Sequence, residues 1–170
     1  IFLLAAVLLR APAGAQSIVS TPTAKTLYKT GPTGRFLMDG TWLFKLDNHQ
    51  SGPQLESGTA GWKQVTVPNA WNVGDDSPQS FLGGVGWYRK DFELPSDPSA
   101  KAWAFRFEGA NYTLTGWLNG KPIGSQGLEA ENFADDRTVM SGSWLGTPYQ
   151  GKGLGSEQRA AVLELAFSGL

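Results

Sequence analysis

The chain has 170 residues, 41% hydrophobic and 17% charged, which suits one globular domain or two at most. Its 14 basic and 15 acidic residues leave a net charge of −1, with Lys and Arg scattered singly, so no basic field invites nucleic acid. The absence of cysteine excludes disulfides, zinc thiolates and a thiol nucleophile, and the lone His49 excludes a multi-histidine metal site.

Residues 1–9 (IFLLAAVLL) are an apolar run of about half the roughly 20 residues that span a bilayer. With Arg10 and the small Ala13 and Ala15 behind it, the run fits a signal-peptide core with cleavage before Gln16. The expectation is export to a bacterial periplasm or the exterior; the alternative is a short buried helix or strand. Residues 16–34, rich in Ser, Thr, Pro, Lys and Gly, are predicted as a flexible lead-in outside the fold.

From Arg35 the pattern is period-two alternation broken by Gly, Pro, Asn and Asp. Trp42, Phe44 and Leu46 alternate with Leu43, Lys45 and Asp47 in a first strand, followed by a long polar loop over 48–61. Residues 63–67 make a second strand stopped by Pro68, and residues 69–86 a loop of the length usually kept for function. Strands are predicted at 87–94, at 103–107 and at 112–118, the last closed by Asn119-Gly120, a strong type I′ hairpin signal. A short strand at 121–124 leaves that turn. Strands at such intervals predict an all-β antiparallel sandwich. Beyond Gly127 the texture changes: 128–137 is acidic, 141–156 is rich in glycine and serine, and 160–167 (AAVLELAF) is either a strand or a turn and a half of helix.

Four segments between Gly34 and Gly127 carry a resemblance. They are Leu37-Met38-Asp39-Gly40-Thr41-Trp42-Leu43-Phe44, the W-x-x-V-x-V-P-x-x-W pattern from Trp62 to Trp71, Gly84 to Phe92 (GVGWYRKDF), and Phe105 to Tyr112 followed by Gly116 to Ser125. In this order they resemble the N-terminal sugar-binding domain of glycoside hydrolase family 2, the β-galactosidase, β-glucuronidase and β-mannosidase group. That resemblance implies a jelly-roll-like, galactose-binding-domain-like sandwich over 35–127, incomplete at its C-terminus, with aromatics between two sheets. It also implies an exported retaining glycosidase whose catalytic barrel and immunoglobulin-like domain lie outside this chain, with carbohydrate as ligand and no cofactor.

No catalytic residue is expected here. A barrel needs about 250 residues, and Asp75-Asp76, adjacent on a loop, point to opposite sides in an extended segment and make a poor acid–base couple. Gly83-Gly84-Val85-Gly86 precedes a strand and is no phosphate cradle. The candidate substrate contacts are Asn72, Asp75, Asp76 and Gln79 on the long loop. Trp71, which opens that loop, is the tryptophan closest to a sugar platform, the others being core. Arg89 and Glu108 are expected to pair across strands.

The departure begins at Gln126, where the family's pattern has histidine. Residues 128–133 faintly resemble the opening of carbohydrate-binding modules whose acidic residues, here Glu129 and Glu131, can hold calcium; a solvated acidic loop is the other reading. The tail 128–170 is therefore read as divergent, the possible start of a second carbohydrate-binding module, on a truncated, fused or frame-shifted chain. The alternative function is a stand-alone carbohydrate-binding or adhesion module. No nucleic-acid partner is expected, and no membrane partner after cleavage.

Overall fold

The computed structural model describes residues 2–8, 18–24, 34–47, 61–82, 84–97, 99, 103, 105–107, 113–119 and 121–168. The class is all-β. A seven-stranded open sheet runs in the order β11-β10-β9-β1-β7-β5-β6, beside two two-stranded sheets.

One side of the large sheet is an antiparallel triad. β5 (Gly40–Asp47) lies between β6 (Lys63–Val67) and β7 (Gly84–Arg89), so that Phe44 stands opposite Lys63 on one flank and Tyr88 on the other. β6 ends at a cis Val67–Pro68 bond. The other side is a second antiparallel triad of β9 (Thr113–Leu118), β10 (Lys121–Glu129) and β11 (Met140–Leu145). Asn119, at φ +50°, starts the turn between β9 and β10, a conformation that asparagine tolerates better than most residues. Between the triads runs β1 (Phe2–Leu8), parallel to both β7 and β9, with Ala5 in register with Trp87 and Thr115.

Three stretches bear on the expectations. Phe2–Leu8, where the apolar core of a leader was expected, forms a strand of the sheet between β7 and β9. The lead-in holds β2 (Val19–Ser20), parallel to β8 (Asp91–Phe92), and β3 (Thr23–Ala24), antiparallel to β4 (Phe36–Leu37). And because β1 bridges the two triads, their strands form one open mixed sheet where two stacked antiparallel layers were expected.

Packing explains the remaining departures. Trp42, Leu43 and Phe44 are all buried in succession, so both faces of β5 are covered and the alternation there does not mark an exposed side. The predicted strand at 87–94 is interrupted at Lys90, whose Nζ donates to the carbonyls of Asp39 (3.2 Å) and Thr41 (3.0 Å) and lies 5.9 Å from the Trp42 ring centre. Burial lowers the Lys90 pKa from its ordinary value. Arg89 pairs with Asp91, through bonds of 3.3 and 3.2 Å; Glu108, its expected partner, lies outside the described residues. Burial raises the Asp91 carboxyl, and the Arg89 guanidinium opposes that rise.

Residues 103 and 105–107 carry no strand. Their rings pack instead: Trp103 tilts against Phe36 at 5.8 Å, and Phe105 meets Phe92 edge-on at 5.5 Å. The polar loop over 48–60 and His49 lie outside the described residues. After β10 come a single helical turn, α1 (Phe133–Asp136), then β11, and then a 15-residue helix, α2 (Leu154–Ser168), which decides the open reading of 160–167. No helix among the described residues is long and apolar enough to cross a membrane.

The core centres on Trp42, Phe44 and Tyr88, with Val65, Val67, Trp71 and Leu114 among the side chains packed on it. Phe44 tilts against Tyr88 at 4.8 Å and against Trp71 at 6.3 Å. Gly86 makes this possible, because a Cβ there would lie 2.6 Å from two Trp71 ring carbons. Gly86→Ala is therefore expected to lower unfolding stability by about 1–3 kcal/mol, the usual cost of overpacking, read as an earlier urea midpoint with an unchanged slope.

Candidate functional site

The loop after β6 is held by its own short-range bonds. Residues 71–74 form a turn in which Val73 N–H donates to Ala70 O (3.1 Å) and Asp75 N–H to Asn72 O (3.0 Å). A 3₁₀ turn, Pro78–Phe81, follows. The Asp75 carboxylate accepts from Ser77 N–H at 3.0 Å, and the Asp75 carbonyl accepts from Ser80 Oγ at 2.6 Å. Bonds from the Ser77 side chain and backbone hold the exposed Asp75 carboxyl below its ordinary value of 3.8.

Of the five residues proposed as sugar contacts, Asp75, Asp76 and Gln79 are exposed and Asn72 is half-buried. All lie on this one loop. Trp71 is half-buried and packs on Phe44 and Gly86, as a wall of the core. The same loop shows Val73, Phe81 and Leu82 to solvent, three large apolar side chains that the reading passed over.

A second loop offers clearer chemistry. It joins β11, the edge strand, to α2. Gly146 N–H donates to Ile123 O at 2.9 Å, carrying the β10–β11 ladder one step past Leu145. The 3₁₀ turn Thr147–Tyr149 then reverses the chain, with Tyr149 N–H on Gly146 O (2.8 Å) and Gln150 N–H on Thr147 O (3.2 Å). Gln150 Nε2 reaches back to Leu145 O at 2.7 Å and closes the turn.

Gly151 and Gly153 take φ of +73° and +80°, values open to glycine and costly for other residues. The helix opens directly behind them, with Ser156 and Glu157 N–H groups both donating to Gly153 O at 3.0 and 3.2 Å. A helix leaves its first N–H groups without intrahelical acceptors, here those of Leu154 and Gly155, and its dipole makes that end positive. A Cβ added at Gly151, Gly153 or Gly155 would meet nothing within 4 Å. The loop is thus exposed backbone with open space beside its glycines, ahead of a helix N-terminus; exposed Lys152 lies in it and exposed Glu157 and Arg159 follow in the first turns of the helix, an end that suits an anion.

Sequence reasoning missed this site. Its signal is Gln150-Gly151-Lys152-Gly153-Leu154-Gly155 ahead of a helix-forming run, a glycine-rich loop at a helix N-terminus. The segment stood out only as rich in glycine and serine, and with residues 160–167 open between strand and helix no helix N-terminus stood behind its glycines. Glu129 ends β10 and Glu131 is exposed beyond it; among the described residues no three metal-ligating side chains gather.

Comparison with known proteins gives two results. The family model described as the acetyltransferase (GNAT) family matches residues 81–169, just over half of the chain. The chain is also 25% identical over 116 residues to Beta-galactosidase BoGH2A of Bacteroides ovatus, an alignment covering 63% of this chain and 14% of that protein. It is 26% identical over 97 residues to a Putative beta-glucuronidase of Formosa agariphila, covering 52% of this chain and 9% of that one. A Beta-glucuronidase of the same organism is 26% identical over 107 residues, 57% of this chain and 11% of its own. The chain thus spans about a seventh or less of these relatives, to which part of it is similar. No solved structure matches.

The acetyltransferase match corrects the assignment to a family 2 sugar-binding domain, since it takes in the segments from Gly84 to Ser125 on which that resemblance leaned. The motifs that suggested it, around Trp42, Trp87, Tyr88 and Phe92, are core residues or neighbours of the core, so they report packing and not activity.

For the loop after β6, Ser77→Ala is expected to move the Asp75 carboxyl up toward 3.8, because it removes the foremost bond favouring the charged form. A carbon-detected NMR titration of the Asp75 side chain reads this directly.

Proposed function

Because the chain belongs to the acetyltransferase (GNAT) family, we propose that the loop between β11 and α2 binds the phosphate end of an acetyl donor, and that the protein transfers acetyl groups. Acetyl groups are carried as the thioester of coenzyme A, whose pyrophosphate needs N–H donors and positive charge. The observation that carries the reading is the loop at residues 151–155: two glycines of positive φ, open space where side chains would stand, and the first N–H groups of α2 behind them. Lys152 and Arg159 supply charge around it. The donor supplies the activated acyl carbon when bound; the chain's own residues orient the pyrophosphate and hold its charge. The outer edge of β11, without a neighbouring strand in the sheet order, is where an amide-bearing arm would add as an extra strand does.

Calorimetry with coenzyme A tests this. Binding to the full chain is expected, weakened at least about tenfold by Gly153→Val, whose side chain opposes the +80° φ and stands in the open space beside the loop. Lys152→Ala is expected to weaken it about threefold to tenfold, with a smaller salt dependence. Absence of heat at millimolar coenzyme A would defeat the reading.

The similarity to the named beta-galactosidase and beta-glucuronidases, over 97 to 116 residues, favours a second reading for part of the chain. On it, that part is related to glycoside hydrolases and carries no hydrolytic groups of its own. The purified chain is then expected to leave nitrophenyl glycosides intact over days, followed by absorbance; turnover would require a carboxyl pair that this reading does not contain.

A further inference from the structure

A helix N-terminus binds an anion only when it is aimed, and little apolar packing aims α2. Val162 is its one buried large side chain among the described residues, while Leu163 is 47% and Phe167 85% exposed. Polar anchoring does more. One turn into the helix, the half-buried Gln158 extends its Nε2 to Ser125 O on β10, 3.0 Å away. That carbonyl is fixed in turn, since Ser125 Oγ donates to Leu114 O (3.0 Å) and accepts from Thr115 Oγ1 (3.1 Å), both on β9.

We propose that Gln158 is a positioning residue for the donor site, setting the first turn of α2 over the sheet so that the N–H groups of Leu154 and Gly155 converge on the pyrophosphate. This rests on the donor reading above. Gln158 touches no part of the donor; it acts through the helix it holds. Gln150, bonded to Leu145 O, fixes the opposite end of the same loop.

The test uses Gln158→Met, which keeps the stem and removes the donor, and Gln158→Glu, which keeps the length and replaces the amide. Calorimetry with coenzyme A is set beside calorimetry with acetyl-pantetheine, which lacks the pyrophosphate. Both variants are expected to bind coenzyme A about threefold to tenfold more weakly, the scale of one hydrogen bond. Their affinity for acetyl-pantetheine is expected to stay at the wild-type value, and amide exchange at Leu154 to Glu157 to speed up. Unchanged coenzyme A affinity overturns the inference and leaves the donor reading standing. Equal losses for both ligands also overturn it, showing a merely structural role. Failure of the wild-type chain to bind coenzyme A removes the donor reading and the inference with it.

Discussion

The ring of Trp71 occupies the space that any side chain at position 86 would need. From that close approach follows much of the first triad. Phe44 is clamped between Trp71 and Tyr88, Tyr88 OH accepts a 3.1 Å bond from Asn69, and the chain leaving β6 is thereby tied back over β7. Burial raises the Tyr88 pKa, so the phenol stays neutral and the contact stays apolar on its ring side. At the other side of the sheet Trp117 of β9 tilts against Trp87 at 6.5 Å. The strands there are joined by ladder bonds and by short polar contacts such as that between Thr115 and Ser125.

How far the fold was legible follows from the same contacts. β5, β6 and β9 were readable because alternating apolar residues end in clear stops, Pro68 and Asn119 among them, whereas β7 begins at Gly84, inside the predicted loop over 69–86. The apolar run at residues 2–8 was ambiguous in principle, since a leader core and a strand buried on both flanks have the same composition. Trp103 and Phe105 alternate like strand residues, yet their rings are satisfied by Phe36 and Phe92 without a ladder. α2 was obscured for a different reason. Its exposed Leu163 and Phe167 blur the apolar stripe that would have marked it as amphipathic.

The candidate site was legible in part. Glycines spaced by two at 151, 153 and 155 were visible, but their meaning depends on a helix following them, and that step was open. The loop after β6, by contrast, drew attention through its length and its tryptophan. Trp71 belongs to the core and Asp75 to a local serine turn, so length alone was a poor guide. Family resemblance carried the same hazard, because residues that fill a sheet interior recur wherever similar sheets are built.

The placement of β1 has a consequence for biosynthesis. Its two neighbours in the sheet, β7 and β9, are Gly84–Arg89 and Thr113–Leu118. A ribosome delivers β1 before either partner, with all the chain from Leu8 to Gly84 still to come before β7 and all that from Leu8 to Thr113 before β9. For that interval an uncharged apolar ribbon has both lateral rims vacant, the condition under which nascent chains are captured by chaperones or by one another.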